Sequence, residues 1–96
     1  MIYWPNKTPV ASLVFGANWA PTLANLGDPT IVESAWEVVS GSVVLSNDLI
    51  SANGKTTSVR ITGGTHKEEQ ILRNTILTSD GDTLDELCYL LVKDGG

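Results

Sequence analysis

Apolar residues alternate with polar residues along most of this chain, and turn-forming dipeptides interrupt the alternation at short, regular intervals. Helical spacing of apolar residues is much rarer. This pattern is typical of an all-β sandwich or barrel. The segment 20–29 contains two prolines and a glycine, so we predict an irregular connection there. The alternation predicts strands at residues 10–15, 31–39, 42–46, 56–62, 68–78 and 83–93.

The turn at Asp80-Gly81 decides how the last two predicted strands pair. A two-residue loop would place Ile76 opposite Asp85, a carboxylate against a core residue. A three-residue loop at 79–81, with the glycine in the left-handed conformation, pairs Ile76 with Leu84 instead. We therefore predict the three-residue loop. The core-facing side of this hairpin is then Leu72, Asn74, Ile76, Leu84, Cys88, Leu90 and Val92.

The strand that begins at residue 31 is predicted to carry the central core residue. Its alternation turns Val32, Trp36 and Val38 inward and leaves Glu33 and Glu37 in solvent. A buried tryptophan on a central strand is common in immunoglobulin-like sandwiches. We therefore expect Trp36 to be buried at the centre of the domain.

The opposite face of the last hairpin is unusually apolar for a surface. A monomeric sandwich normally presents polar side chains there, so the apolar face is either covered by a second packing layer or is a partner surface. The sequence leaves both alternatives open. The apolar residues on this face are Ile71, Leu77, Leu87, Tyr89 and Leu91.

The N-terminal residues 1–8 provide a second candidate contact. Aromatic side chains ahead of Pro5 suit an extended arm that binds a partner, although the same segment could fold back on its own sandwich. The predicted partner-binding residues are Tyr3, Trp4, Ile71, Leu87, Tyr89 and Leu91.

The composition is that of one small domain spanning residues 1–96. It is 42% hydrophobic and 18% charged, which indicates neither disorder nor a membrane span. The N-terminus lacks a basic segment followed by an apolar stretch, so we expect no cleaved secretory signal and synthesis in a cytoplasm. Cys88 is the only cysteine, so no internal disulfide can form and packing must supply the stability.

The charge and the ionisable side chains favour neither nucleic acid binding nor catalysis. A net charge of -5 opposes contact with a phosphate backbone, and the six cationic residues are scattered. His66 and Cys88 lack a third orienting group, so we interpret them as a loop histidine and a core cysteine. The acidic cluster around Asp80 departs from calcium-loop spacing, and Gly63-Gly64 lacks the rest of a phosphate-binding loop. We expect no catalytic residue, metal or cofactor.

Spaced motifs along the chain resemble the fibre-tail adaptors, small immunoglobulin-like proteins of tailed bacteriophages. Their usual pattern runs K-D-P, Y-x-x-D-W, G-D-T-I, a tryptophan, G-G-T, N-x-I and a glycine turn. The matching segments are Lys7-Thr8-Pro9, Phe15-Gly16-Ala17-Asn18-Trp19, Gly27-Asp28-Pro29-Thr30-Ile31, Trp36-Glu37-Val38, Thr62-Gly63-Gly64-Thr65, Arg73-Asn74-Thr75-Ile76 and Asp80-Gly81.

The sequence departs from that pattern at a few positions. Thr8 and Asn18 replace the usual aspartates, and any hydrogen bond that needs those carboxylates is altered, although Asn18 can still accept one. Phe15 stands where tyrosine is usual. Leu87 and Leu91 occupy positions that are usually polar, which adds to the case for a partner-specific surface.

The resemblance implies an antiparallel immunoglobulin-like β-sandwich of about seven strands, located in the virion. It implies a non-enzymatic role linking fibres or accessory proteins to the tail, with tail or fibre proteins as partners. The apolar face of the last hairpin leaves a second copy of the chain open as a further partner. The alternative is an immunoglobulin-like accessory domain that binds carbohydrate or a bacterial surface, with Trp4 or Trp19 as the stacking platform. A glycan-binding domain should expose an aromatic ring beside convergent polar groups, whereas an assembly module should expose an apolar strand face or edge.

Overall fold

Seven strands and one short helix make up residues 1–94, the part of the chain that the computed structural model describes. Gly95 and Gly96, the end of the predicted domain 1–96, lie outside the described residues. In this part of the chain no helix has the length and apolar character needed to cross a membrane. The elements are β1 (Ile2–Tyr3), β2 (Ser12–Asn18), α1 (Ala20–Ala24), β3 (Ile31–Ser40), β4 (Val43–Ile50), β5 (Thr56–Gly63), β6 (Glu69–Thr78) and β7 (Thr83–Leu91).

The strands form two sheets that pack face to face. One has the order β1-β7-β6-β3 and the other the order β2-β5-β4. Between the sheets lie two clusters of buried apolar side chains, one containing Ile61, Leu72 and Leu90, the other Leu23 and Ile76. This is the immunoglobulin-like sandwich that the sequence predicts, with the expected number of strands.

The predicted register of the last hairpin is confirmed. Ile76 pairs with Leu84 and Leu72 pairs with Cys88. Gly81 has φ 89°, the left-handed conformation that the three-residue loop requires. The predicted core-facing side chains are buried, with Leu84 only partly so.

Strand boundaries differ from the prediction mainly where the chain bends. The first predicted strand, 10–15, lies two to three residues further along as β2. The strand predicted at 42–46 continues to Ile50, because a bulge between Ser46 and Leu49 lets the pairing with β5 resume. Segment 20–29 is not wholly irregular. It begins with helix α1, which has a proline in its first turn and fully buries Leu23.

Of the two alternatives for residues 1–8, an extended arm and a segment folded back on its own sandwich, the structure shows the second. Strand β1 pairs with β7 in parallel, Tyr3 opposite Tyr89, and the Trp4 amide donates to the Tyr89 carbonyl at 2.9 Å. Further along, Lys7 forms a parallel bridge with Val92. The segment folds back because the outer edge of β7 offers unpaired backbone groups that a second strand can satisfy.

Lys7, at the end of the segment that folds back onto β7, is buried, which is unusual for a lysine. The residue is only 2% exposed. Its ammonium donates to the carbonyls of Thr8 at 2.7 Å and Ala11 at 2.8 Å. Burial lowers the pKa of Lys7 below its ordinary value. The lysine thereby holds the turn before β2 against the end of β7.

Trp36 points inward as predicted, but the prediction that it is buried at the centre of the domain is wrong. It packs against both apolar clusters and remains half-buried, because β3 is the edge strand of its sheet. The outward orientation of Glu33 and Glu37 is confirmed. Val32 is 51% exposed instead of inward-facing, since a bulge between residues 31 and 33 shifts the alternation at the start of β3.

Candidate functional site

Five of the six predicted partner-binding residues lie together on the outer face of the β1-β7-β6-β3 sheet. Tyr89 is paired with Tyr3 on one side and Ile71 on the other, and Leu87 and Leu91 follow on the same face of β7. The rings of Tyr3 and Tyr89 are 5.6 Å apart at an angle of 52°. We refer to these five residues as the apolar strip.

The apolar strip is neither core nor freely solvated. Tyr3 is 72% exposed, and the other four side chains are half-buried against their neighbours in the sheet. No second layer of residues 1–94 is stacked on this face. The other sheet packs against the opposite, inner face, and the helix packs into the core. The strip is therefore a surface on which apolar side chains meet water.

A row of charged side chains crosses the same face beside the strip. Arg73 lies directly opposite Leu87, and its guanidinium binds Glu37 at 3.0 Å and Asp85 at 3.4 Å. The other end of the strip has Glu69 opposite Leu91. Burial, followed by the charge of Glu69, raises the pKa of Tyr89. The phenol therefore stays neutral at physiological pH, and the surface combines an apolar centre with a charged border.

Trp4, the sixth predicted partner-binding residue, is placed elsewhere. Its ring stacks on Phe15 with centroids 4.9 Å apart and lies 5.8 Å from the ring of Trp36. Its indole N–H donates to the Gly16 carbonyl at 3.0 Å. Trp4 closes one edge of the sandwich, so the structure separates it from the apolar strip.

The tryptophans that would serve a carbohydrate-binding domain are not presented as stacking platforms. Trp4 is engaged by Phe15, and Trp19 is 5% exposed with its indole N–H donating to Asn74 at 2.9 Å. A sugar stacks on an aromatic face that is open to solvent. The structure therefore does not favour glycan binding at these two residues.

Cys88 and His66 have structural environments. Cys88 is fully buried, and burial raises the pKa of its thiol to about 12, the opposite of what a nucleophile requires. His66 accepts a hydrogen bond from the Asp94 amide at 2.8 Å through Nδ1. Within residues 1–94 no three potential metal-binding side chains are grouped together.

One shallow depression of about 470 Å³ opens on the outer face, at the end away from the strip. Glu33 is the one ionisable residue in its lining, so the depression offers no pair of groups for acid–base chemistry. It is lined by Glu33, Ser34, Ala35, Thr75, Ile76, Leu77 and Thr83.

Sequence reasoning missed two features that shape the surfaces. The ion-paired row at Arg73 depends on the register of β3, which only the fold supplies. The second feature is the bare edge of β2, whose sequence carries no charge and no proline from Ser12 to Asn18. The uncharged sequence of β2 could have indicated an unprotected edge strand.

Comparison with known proteins gives a family match over most of the chain. The model of the family described as podophage GP4 fiber-tail adaptor protein gp77 matches residues 7–91. A search of curated proteins found none that matches the sequence.

Two solved structures share the fold. The PKD domain of the KIAA 1837 protein has a TM-score of 0.62 and 19% identity, with 100% of this chain and 85% of that one covered. The second is the 2,6-sialyltransferase of Vibrionaceae Photobacterium sp. JT-ISH-224, with a TM-score of 0.52 and 15% identity. In that case 97% of this chain matches only 18% of the enzyme. At these identities the likeness extends to the sandwich architecture alone.

Proposed function

The chain belongs to the podophage fiber-tail adaptor family, and from this premise we propose that it is a virion protein that links fibres or accessory proteins to the phage tail. The observation that carries the proposal is the family match, which spans residues 7–91 and so includes all of the sandwich except β1. An adaptor of this family interacts with other tail or fibre proteins, and its role is structural.

The apolar strip supports a role in assembly. Leu87, Tyr89 and Leu91 alternate along β7, and Ile71 and Tyr3 extend the surface across the two neighbouring strands. Burying apolar surface of this kind contributes about 25 cal/mol per Å². The charged border beside Arg73 can select a partner with complementary charges. We propose that a tail or fibre protein covers this strip in the virion.

The arrangement of ionisable groups fits a protein without catalytic chemistry. Acid–base or nucleophilic catalysis needs groups with suitable pKa values that meet in a pocket. Here the thiol is buried and protonated, and Arg73 is already neutralised by two carboxylates. We propose that binding does not depend on metal, cofactor or nucleic acid, and that the protein acts in the virion after synthesis in the host cytoplasm.

Deleting the gene from the phage that encodes this chain tests the linking role. We expect DNA-filled particles that lack fibres or another appendage, and restoration of the appendage when the protein is supplied in trans. Mass spectrometry and electron microscopy of purified particles measure both results. Deletion particles with a full complement of tail and fibre proteins would contradict the proposal.

A further inference from the structure

The four edges of the two sheets are protected to very different extents. The edge strand β1 is only two residues long. The edge strand β3 has two register shifts and carries Glu33 and Glu37. The edge strand β4 has a bulge at 46–49 that includes Asp48. Bulges and charges of this kind prevent a sheet edge from pairing with another chain.

Strand β2 has none of these protections. Its seven residues are uncharged, and its pairing with β5 runs without a register shift from Ser12 to Asn18. Immunoglobulin-like domains commonly have a four-stranded sheet in which a further strand lies at this edge. Here the N-terminal segment pairs with β7 instead, and among the described residues no strand pairs with β2 on its outer side, where the Trp4 indole and the Arg60 guanidinium reach the carbonyls of Gly16 and Ser12.

The backbone groups on the unpaired side of β2 can be identified. The amide of Trp19 donates to Lys55 in the direction of β5, whereas the Gly16 carbonyl accepts the Trp4 indole from the other side. Because the direction alternates along a strand, Ser12, Val14 and Gly16 direct their N–H and C=O groups away from β5. Since no strand of residues 1–94 pairs with β2 on that side, this alternation leaves the N–H and C=O of Val14 without a partner in a sheet ladder.

Apolar side chains at the same edge are left exposed. Leu13 is 43% exposed although it lies on the inner side, opposite the fully buried Ile61. Val14 is 56% exposed on the outer side. A strand placed beside β2 would cover both side chains and pair the free backbone groups.

We propose that this edge pairs with β2 of a second copy of the chain, antiparallel and about a twofold axis at Val14. In that register Val14 of each copy faces Val14 of the other and exchanges both backbone hydrogen bonds with it. Ser12 faces Gly16, and the inner-side residues Leu13 and Phe15 face each other. The result is a continuous six-stranded sheet with the order β4-β5-β2-β2-β5-β4.

A second copy is favoured as the occupant because β2 complements itself. The chain carries a net charge of -5, so two copies repel each other over most orientations, but β2 places no charged side chain in the contact. The carbonyls of Ser12 and Gly16 already accept Arg60 and Trp4, respectively, and each retains a second lone pair for the other copy.

The proposed contact is small, so the isolated dimer should be weak. Specific dimers usually bury about 1,600 Å² in total, more than the pairing of two seven-residue strands provides. In a particle the copies are held at high effective concentration, which strengthens such contacts without new interactions. The contact uses a different surface from the apolar strip, so it can fail while the linking role remains correct, and the reverse also holds.

A charge-swap experiment at Val14 tests the twofold register. We expect the wild-type chain to associate as a dimer in sedimentation equilibrium at high concentration. Val14→Lys alone should remain monomeric, because like charges would face each other beside Arg60, which pairs with Val14 from β5. Val14→Glu alone should weaken the dimer less, because Arg60 offsets part of the repulsion between the two glutamates. An equimolar mixture of the two variants should dimerise again, since lysine of one copy then faces glutamate of the other.

A single proline substitution distinguishes backbone strand pairing from side-chain contact. Val14→Pro removes an outward N–H that β5 does not use, so the domain should stay folded and the dimer Kd should rise about tenfold or more. The matched variant Val14→Thr keeps the N–H and should dimerise. Hydrogen exchange of the Val14 and Gly16 amides should slow at concentrations where the dimer forms.

Three results would overturn the proposal. The first is a wild-type chain that is monomeric at millimolar concentration. The second is a dimer that survives in the Val14→Lys variant alone. The third is a mixture of the lysine and glutamate variants that stays monomeric although both are folded. Loss of the dimer through changes in the apolar strip, with Val14→Pro unaffected, would assign self-association to the other face.

Discussion

At the scale of single residues, Asn74 organises the polar interior of the sandwich. Its carbonyl oxygen accepts from the Trp19 indole at 2.9 Å and the Thr57 hydroxyl at 2.6 Å. Its amide donates to the Ser34 hydroxyl and the Ala35 carbonyl, both at 3.0 Å. One fully buried side chain thus joins β6 to β3, to β5 in the opposite sheet and to the residue before α1.

Replacing Asn74 with leucine should therefore be costly even though the volumes are similar. The substitution leaves the buried Trp19 N–H and Thr57 hydroxyl without their acceptor, and each such group costs about 1–3 kcal/mol. We expect a decrease of about 2–4 kcal/mol in the free energy of unfolding, measured by urea denaturation.

A double-mutant cycle provides the control for this effect. Thr57→Val removes one of the two groups that the leucine leaves without a partner, so it should cost less in the Asn74→Leu background than in the wild type. Additive effects of the two substitutions would contradict the hydrogen-bond explanation and point to packing alone.

At the scale of elements, the turn between β3 and β4 depends on the close approach of two residues. Gly41 has φ 128°, and a Cβ there would lie 1.8 Å from the Gln70 Oε1 atom. The same oxygen accepts from the amides of Ser42 at 2.9 Å and Val43 at 3.3 Å. The buried glutamine side chain therefore occupies the place of a side chain at Gly41 and holds the turn.

Gly41→Ala should destabilise the domain more than Gly81→Ala does. Both glycines have positive φ, but the space around Gly81 is open. The left-handed backbone alone costs alanine about 1–2 kcal/mol, and Gly41 adds the collision with Gln70. Urea midpoints of the two variants give the comparison. Equal shifts would show that the Gln70 contact relaxes without cost.

The elements that could be predicted from the sequence are those with a local signal. Alternation located six strands, and the chemistry of Asp80-Gly81 fixed the register of β6 and β7, which in turn placed the apolar strip on one face. The two-residue strand β1 and the exposed Val32 carry no such signal. The first depends on the free edge of β7, and the second on a bulge set by pairing with β6.

Only the part of the candidate site that lies along a single strand could be predicted from the sequence. Alternation grouped Leu87, Tyr89 and Leu91, and Tyr3 joined them through tertiary pairing. Trp4 was assigned to the site as an aromatic anchor, but its stacking on Phe15 requires a strand that is distant in sequence. The burial of Trp19 rather than Trp36 follows from their positions relative to the edge of a sheet, which sequence patterns do not show.

At the scale of the whole molecule, the described chain is an elongated body of 44 × 21 × 19 Å with distinct surfaces on its two sheets. The apolar strip lies on the outer face of the β1-β7-β6-β3 sheet, and the bare β2 edge belongs to the other sheet. An elongated module with the two proposed contact surfaces on separate sheets would be suited to joining different components. Each surface can be disabled while the other is left intact.

Placing charges on the strip should block assembly without unfolding the domain. Leu87→Glu sets a carboxylate opposite Arg73, and Leu91→Lys sets an ammonium opposite Glu69, so each new charge meets an opposite one. We expect the double variant to give a well-dispersed NMR spectrum and to be missing from purified particles.

The matched control likewise introduces one lysine and one glutamate, but on the other sheet. Val44→Lys with Leu49→Glu alters two side chains that are each 63% exposed, and it should be incorporated into particles normally. A poorly dispersed spectrum of the strip variant would show that the strip is part of the core. Normal incorporation of the strip variant would show that the strip is not a contact surface.

The parallel pairing of β1 with β7 also determines how the molecule bears mechanical load. Beyond the β1–β7 pairing itself, the seam is continued by backbone hydrogen bonds from Trp4 to Tyr89 at 2.9 Å, Lys7 to Leu91 at 3.2 Å and Lys93 to Lys7 at 2.8 Å. Because the two strands run in the same direction, a pull on the opposite ends of the described chain drags them past each other. The bonds lie across that motion and must break together instead of opening one by one from an end. A load applied between the two ends would thus strain the seam in shear, the direction in which a few hydrogen bonds resist most.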